Sequence, residues 1–337
     1  MTLRVEWLHG AEARDASALA LWARLFEATP DVSVTSGPAW WRFIEDTFRP
    51  GHEHRLAIVH DAGRVAGLFP AACTMGRGRL GARRTLTHAN GAHTYYGDPV
   101  VPPDAPPETL RVLGQALRSS PDVHRIDLSR VRVPIPGWPT SVESSADMLV
   151  RRGLAAEGIS TRMLRDIERS VRRLEERGVL VIERLEGSAL RGIGPEFALL
   201  HTALKEMQQQ WAVFLDHQGS GERLGPALAE GPIAAHAGVV KISLDGRTLG
   251  MTLLFHGGGE TLSYRVAWDP TEARFGIGAL LMREAIGWSA DRGDGCFRLG
   301  PGDEGYKRKW ATEIAHVHRH RLDQPRWKHL WRQLRRD

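Results

Sequence analysis

Tyr264-Arg265-Val266-Ala267-Trp268, followed after a short gap by Arg274-Phe275-Gly276-Ile277-Gly278-Ala279, decides how the chain is read. An aromatic, β-branched strand signal gives way to a loop, a Gly-x-Gly turn and the apolar periodicity of a helix. That order leaves bare backbone N–H groups at a helix start, where a pyrophosphate can sit. Gly276 and Gly278 let the chain turn and let phosphates come close. A glycine-relaxed helix start that holds no ligand fits the same residues.

Working outward, residues 239–244, 248–255 and 261–268 read as three strands. Turns at Asp245-Gly246 and Gly257-Gly258-Gly259 separate them, which is an antiparallel meander. Downstream, the spacing predicts a helix over 277–292, a strand over 296–299 and a strand over 313–322. Upstream, Leu164, Ile167, Val171 and Leu174 recur at helical spacing, with Ser160 as N-cap and Gly178 as stop. Residues 179–185 read as a strand, and Phe197, Leu200, Leu204, Met207 and Trp211 as the stripe of a helix from Pro195.

The first part of the chain is also mixed. Leu19, Trp22, Leu25 and Phe26 predict one helix and Trp40, Trp41, Ile44 and Phe48 another. Residues 56–59 and 65–71 read as a hairpin across Asp61-Ala62-Gly63, and 125–131 as a strand. The polar segment 76–103 is expected to line a groove, and the proline-rich run 133–139 to break regular structure. The expectation is an α/β (α+β) protein of two lobes, 1–157 and 158–337, each a mixed, mostly antiparallel sheet flanked by helices.

At 337 residues, with 42% hydrophobic and 25% charged residues, the chain can bury two ordinary cores. No run approaches the ~20 apolar residues of a membrane span, and no signal-peptide pattern opens the sequence. Two distant cysteines, Cys73 and Cys296, suggest neither disulfides nor zinc. A cytoplasmic setting is expected. The isoelectric point near 9.5 resembles a nucleic-acid signal. However, the excess of five positive charges lies in residues 316–337, leaving 38 of each sign elsewhere. A surplus confined to a tail speaks against DNA as a partner. Trp327, Leu330, Trp331 and Leu334, ringed by arginines, form a basic amphipathic stretch. It can dock on its own domain or lie on an anionic membrane.

Several side chains are candidates for chemistry. Asp303 can accept a proton or cap the segment 304–310. His201 sits on an apolar stripe, as a core histidine or a substrate contact. Trp211 can floor a pocket or pack in the core. His316, His318 and His320 alternate along a strand and so face one way, but without a matching carboxylate or cysteine they predict no metal site.

Taken together, the segments resemble the GNAT superfamily of acyltransferases, in its CelD-type, FemAB-like branch. The resemblance is carried by Tyr96-Gly97-Asp98-Pro99-Val100-Val101, the arginine-rich helix 162–177, Leu200-His201 with Trp211, the strand ending Trp268-Asp269-Pro270, and Gly302-Asp303-Glu304-Gly305-Tyr306-Lys307-Arg308-Lys309-Trp310. It implies tandem GNAT-like lobes and transfer from an acyl-CoA, acetyl-CoA above all, to an amine or hydroxyl. The acceptor would be a small molecule, glycan or peptide, often in cell-envelope or exopolysaccharide synthesis. It implies a donor site at Val266, Ala267, Trp268, Arg274, Phe275, Gly276, Ile277, Gly278 and Ala279. Tyr306 would protonate the leaving thiolate, with Asp303 or His201 near the acceptor and Tyr96, Asp98, Trp211, Tyr264 and Lys307 at the substrate. Two departures stand out: Ala273 occupies the first position of the phosphate motif, with Arg274 one place out, and Arg298 replaces an acidic strand residue. Transfer from aminoacyl-tRNA, the chemistry of FemAB relatives, and a decayed accessory protein of polysaccharide synthesis are the alternatives.

Overall fold

The computed structural model describes residues 3–49, 51–78, 81–93, 95–120, 122–151, 153–155, 158–210 and 219–324. Trp211 and the basic stretch at 327–334 lie outside the described residues. The chain packs into two units, neither of them a continuous piece. The first comprises Met1–Trp41, Gly51–Ser145 and His316–Asp337, the second Arg42–Pro50 and Ala146–Ala315. The expected cut at residue 157 therefore falls inside the second unit. The strand expected at 313–322 is assigned mostly to the first.

In the first unit the strand order is β1 (Arg4–His9), β2 (Glu53–Asp61), β3 (Arg64–Gly78), β4 (Gly81–His88), β5 (Arg125–Val131) and then the late strand β12 (Glu313–Asp323). All neighbours are antiparallel except β4 and β5. The β2–β3 turn has positive φ at both Ala62 and Gly63, the geometry whose twist suits a two-residue hairpin. Segment 81–88, part of the polar stretch expected to line a groove, is a strand. Its charges are neutralised in place, Arg84 by Glu53 and Asp122 and Arg83 by Asp323. Helix α1 (Ala16–Glu27) starts on Asp15, whose carboxylate accepts from Ala18 N at 2.7 Å. With Trp41, the first residues of α2 (Pro38–Phe48) and α1 cover one face of the sheet through Trp22, Leu25, Ile58 and Leu68. Helix α3 (Thr109–Arg118) covers the other through Leu113, Leu117, Phe69 and Ile126. Leu68 and Phe69 point to opposite faces because they are adjacent on one strand.

In the second unit the order is β6 (Ser141–Arg151), β11 (Cys296–Pro301), β10 (Glu260–Trp268), β9 (Arg247–Gly257), β8 (Ala237–Leu244) and β7 (Leu180–Glu186). Only β10 and β11 run parallel. Helices α4 (Thr161–Glu175) and α7 (Ile277–Asp291) pack on one face with Ile167, Leu174, Leu254, Leu280, Leu281 and Ile286. Phe255, one residue beyond Leu254 and so on the opposite face, meets Phe43 and Tyr264 at ring-centroid distances of 5.3 and 5.6 Å. Helices α5 (Ile193–Met207) and α6 (Ser220–Glu230) complete this unit with the single turn α8 (Gly305–Arg308). Helix α6 escapes a sequence reading because Gly221, Gly225 and Pro226 mask its periodicity. Ser160 caps α4 as expected, accepting from Met163 N. Gly178 follows the end of α4, as expected of a stop. A Cβ there would lie 2.0 Å from the Asp245 carboxylate, so close approach requires the glycine.

The three histidines of β12 do not share a face. A register shift between His318 and His320 turns His320 inward, where its ring accepts from Ile135 N at 3.2 Å. Among the described residues no cluster of His, Cys, Asp or Glu is arranged to hold a metal, and no helix is long and apolar enough to cross a membrane.

The units repeat one plan. An antiparallel meander (β2-β3-β4 or β8-β9-β10) feeds a helix (α3 or α7), which returns a parallel strand (β5 or β11) beside the meander's last strand.

Each unit also buries a neutral imidazole. Burial pushes His88, on β4, and His256, on β9, down to about 4. His256 Nδ1 is hydrogen-bonded to Thr261 Oγ1 at 2.8 Å, and Thr261 in turn donates to Asp294. A histidine whose folded value lies below its unfolded value favours the fold while neutral. The advantage is lost as pH falls from the unfolded value near 6.5 towards 4. Each ring is expected to cost about 1–2 kcal/mol of stability at pH 5 relative to pH 7. Calorimetric unfolding across that range checks it, and a melting temperature flat from pH 7 to 5 would refute it.

Candidate active site

The second unit opens a fork in its sheet. Parallel pairing of β10 with β11 is confined to Glu260↔Cys296, Thr261↔Phe297 and Leu262↔Arg298. Beyond Leu262, strand β10 continues to Trp268 paired with β9 alone. Residues 263–268 therefore turn an unpaired backbone edge towards the opening. Tyr264 is skipped in the pairing with β9, between Ser263 and Arg265, and such a bulge re-aims the backbone groups after it. On the other prong, Gly300 has φ +80° and the register with β6 shifts between Arg298 and Pro301, so β11 bends away.

A buried ion triad holds the crotch of this fork. Arg298 on β11 pairs with Glu260 on β10 and with Asp147 on β6, so one guanidinium ties three neighbouring strands. Asp147 is 1% exposed and Glu260 8%, so neither carboxylate can turn to water instead. Arg298, where the resemblance leads one to expect an acidic residue, thus joins strands. Charges set within apolar strands, as in Cys296-Phe297-Arg298-Leu299, were the visible signal for it.

At the far end of β10 lies the glycine turn. Asp269 accepts from Thr271 N at 2.9 Å and starts a tight turn, Pro270–Phe275. Gly276 then adopts φ +62° and opens α7. Ala279 N and Leu280 N both donate to Gly276 O, leaving the N–H groups of Ile277 and Gly278 ahead of the first bonded turn. A Cβ on Gly278 would come within 3.2 Å of Trp268 Nε1, so glycine keeps this approach narrow. Beneath the turn, Glu272 receives Arg177 in a two-pronged pair at 2.8 and 3.0 Å and also Arg247, which binds Asp269. The hydrogen bond from Arg177 is the main cause holding Glu272 below its ordinary carboxylate range. Arg173 of α4 and Arg177, just past its end, join Arg274 over the ring of Phe275. The sequence displayed the arginine-rich helix, but nothing in its spacing tied Arg173 and Arg177 to this turn.

Other expected residues gather between α5, β10 and the segment after β11. His201 is buried and stacked on Phe197, and burial, with Arg265 and Lys205 nearby, pushes it down to about 3. Lys205 is lowered by burial and by Arg265, and it senses Glu304. Arg265 lies over the ring of Tyr264, 4.7 Å from its centroid. Tyr306 is half exposed on α8. Asp303 neither caps α8 nor stands ready as a base. It forms a two-pronged pair with Arg308, whose hydrogen bond holds it below the usual carboxylate range. Lys307, expected at the substrate, is 4% exposed and donates to Gly300 O at 3.1 Å and Pro301 O at 3.0 Å. Its ammonium fixes the bend of β11, with Glu304 as counter-ion at 2.8 Å.

Tyr96 and Asp98 belong to the first unit and serve its packing. Tyr96 is fully buried, its backbone bonded to Thr35 Oγ1 and its ring 5.2 Å from the Arg132 guanidinium. Asp98 accepts from Arg132 N and Nε, both at 2.6 Å. This unit has its own fork, since β4 and β5 pair only through Thr85↔Arg125 and Leu86↔Ile126. Here the chain itself runs along the open prong, with Gly97 N donating to Arg130 O at 3.0 Å.

The acetyltransferase (GNAT) domain family matches residues 161–308, the span that holds the open fork, the glycine turn and α8. That span resembles a GNAT domain. No curated protein matches the sequence. Among solved structures, FemX superposes with a TM-score of 0.62 at 11% identity, over 92% of this chain and 97% of that one. The C-terminal domain of a putative lysylphosphatidylglycerol synthetase from Agrobacterium fabrum gives 0.59 at 12%, over 94% and 95%. L-PGS from Bacillus licheniformis gives 0.57 at 12%, over 95% of each. At these identities the likeness is one of fold, and it extends beyond the GNAT domain to nearly the whole chain.

The fork makes a direct demand on stability. Removing only the arginine of the triad, as in Arg298→Leu, leaves two buried carboxylates without their cation and is expected to cost about 3–5 kcal/mol. Denaturant titration measures it, and a loss below about 1 kcal/mol would mean the triad does not hold the strands.

Proposed function

We propose that the GNAT domain transfers an acyl group, acetyl foremost, from acyl-CoA to an amine or hydroxyl of a small-molecule, glycan or peptide acceptor. The observation that carries this reading is the unpaired edge of β10 leading to the glycine turn at the start of α7. A pantetheine arm carries amides that can pair with such an edge. The diphosphate at its end suits the N–H groups of Ile277 and Gly278. The two features lie on one continuous stretch, as a thioester donor requires. Acceptors of cell-envelope or exopolysaccharide synthesis belong to this reading, as does contact of the basic C-terminal stretch with an anionic membrane.

In the reaction, the acceptor nitrogen or oxygen attacks the thioester carbonyl carbon. Negative charge gathers on the carbonyl oxygen, where backbone N–H groups on the open edge of β10, near Val266 to Trp268, stabilise it. The C–S bond then breaks and the thiolate takes the phenolic proton of Tyr306, which regains one from the proton the acceptor releases to solvent. His201 is too weak a base, and Asp303 too firmly paired with Arg308, to accept the acceptor's proton at neutral pH. A second reading, transfer from aminoacyl-tRNA, draws on the exposed arginines of α4 and on the FemAB-like resemblance. Against it, Asp166, Glu168, Glu175 and Glu176 interleave with those arginines.

Calorimetric titration with acetyl-CoA, longer acyl-CoAs and aminoacyl-tRNA tests the donor, and steady-state kinetics of Tyr306→Phe tests the acid. Micromolar acyl-CoA binding is expected, with turnover lowered about a hundredfold or more in the variant and donor affinity little changed. Unchanged turnover would remove Tyr306 from the chemistry. Heat with aminoacyl-tRNA but none with any thioester would replace the donor.

A further inference from the structure

Three guanidinium groups meet on one aromatic ring. Arg173 near the end of α4, Arg177 in the turn just after it, and Arg274, from the turn before α7, place their guanidinium carbons 5.1, 4.7 and 4.8 Å from the centroid of the buried Phe275 ring. All three therefore lie within about one Debye length of each other at physiological salt, and they repel. Only part of that repulsion is relieved internally. Arg177 is neutralised by Glu272, whereas among the described residues Arg173 and Arg274 are held by stacking on Phe275 and by no carboxylate. Both side chains are exposed. Two uncompensated cations fixed on one rigid ring are arranged for an anion that arrives from outside.

The position of the pair says which anion. Phe275 immediately precedes Gly276, and the N–H groups of Ile277 and Gly278 follow. A helix start offers about half an elementary charge and a few donors, enough for one phosphoryl group of a diphosphate. A coenzyme A donor brings, besides the diphosphate, a ribose 3′-phosphate bearing nearly two further charges at neutral pH, and the helix start cannot match these. We propose that Arg173 and Arg274, stacked on Phe275, bind the 3′-phosphate of the donor and make it a specificity element of this enzyme. The inference rests on the acyl-CoA reading above and narrows it, because a pantetheine thioester without the nucleotide would then be a poor donor. Arg177 keeps a different task, positioning Glu272 beneath the turn.

The test compares dissociation constants of coenzyme A and 3′-dephospho-coenzyme A by calorimetry. The proteins are the unaltered chain, Arg173→Gln, Arg274→Gln and, as a control on the exposed side of the same helix, Arg162→Gln. The unaltered chain and the control are expected to prefer coenzyme A by about ten- to a hundredfold, and each test variant to lose most of that preference. Affinity for the dephospho form should stay nearly constant in all four, which separates loss of this contact from damage to the fold. Equal affinity of the unaltered chain for both compounds would overturn the inference and leave the acyl-CoA reading standing. Failure to bind either compound would overturn both. A preference that survives in Arg173→Gln and Arg274→Gln would place the 3′-phosphate elsewhere and overturn the assignment.

Discussion

The ion triad of Asp147, Arg298 and Glu260 is the constraint on which the second unit's chemistry depends. Parallel strands separated after three paired residues have little holding them in register, and an open backbone edge invites further pairing. A guanidinium shared between carboxylates on both flanking strands fixes the last paired position and lets the chains part beyond it. Burying three charges is expensive and adds little net stability, so what the triad supplies is geometric: it decides where pairing ends. The ammonium of Lys307, placed on the carbonyls of Gly300 and Pro301, bends the other prong.

Comparison of the two repeats explains why one carries the proposed site. Both have a meander, a crossover helix and a short parallel pairing that opens. In the first, Tyr95–Asp98 occupy the open prong through Gly97 and Asp98, and the residues before α3 include Pro106 and Pro107, which lack N–H donors. In the second, the prong is open and the helix begins with Gly276-Ile277-Gly278. The same topology therefore yields one fork occupied by its own chain and one left open.

Much of this was legible in the sequence. The meander, the glycine turn, α7 and β11 followed from alternation, Gly-rich turns and a clear 3.6-residue period. The match of a GNAT domain to residues 161–308 agrees with the family resemblance drawn from those segments. Other features were hidden because they depend on tertiary pairing. The β4 strand was masked by charges whose partners, Glu53, Asp122 and Asp323, are remote in sequence. The alternation of His316, His318 and His320 was broken by a bulge that no local signal announces. For the candidate site, the glycine turn stands out in the sequence, whereas the partners of Lys307, Asp98 and Arg298 do not. Each is a buried charge whose work is set by a partner on another strand or loop, and spacing along one segment does not reveal such partners.

The return of β12 to the first unit has a consequence for how the protein is made. His318 lies beside Val131, and between them in sequence stands essentially the whole second unit. During synthesis the N-terminal repeat emerges first, yet the edge of β5 waits for a partner until the ribosome has delivered residues 318–323. For that interval the nascent chain carries an incomplete sheet with an unsatisfied strand edge, the kind of surface chaperones recognise. The span 161–308 thus leaves the ribosome before the strand that completes the first unit's sheet is available.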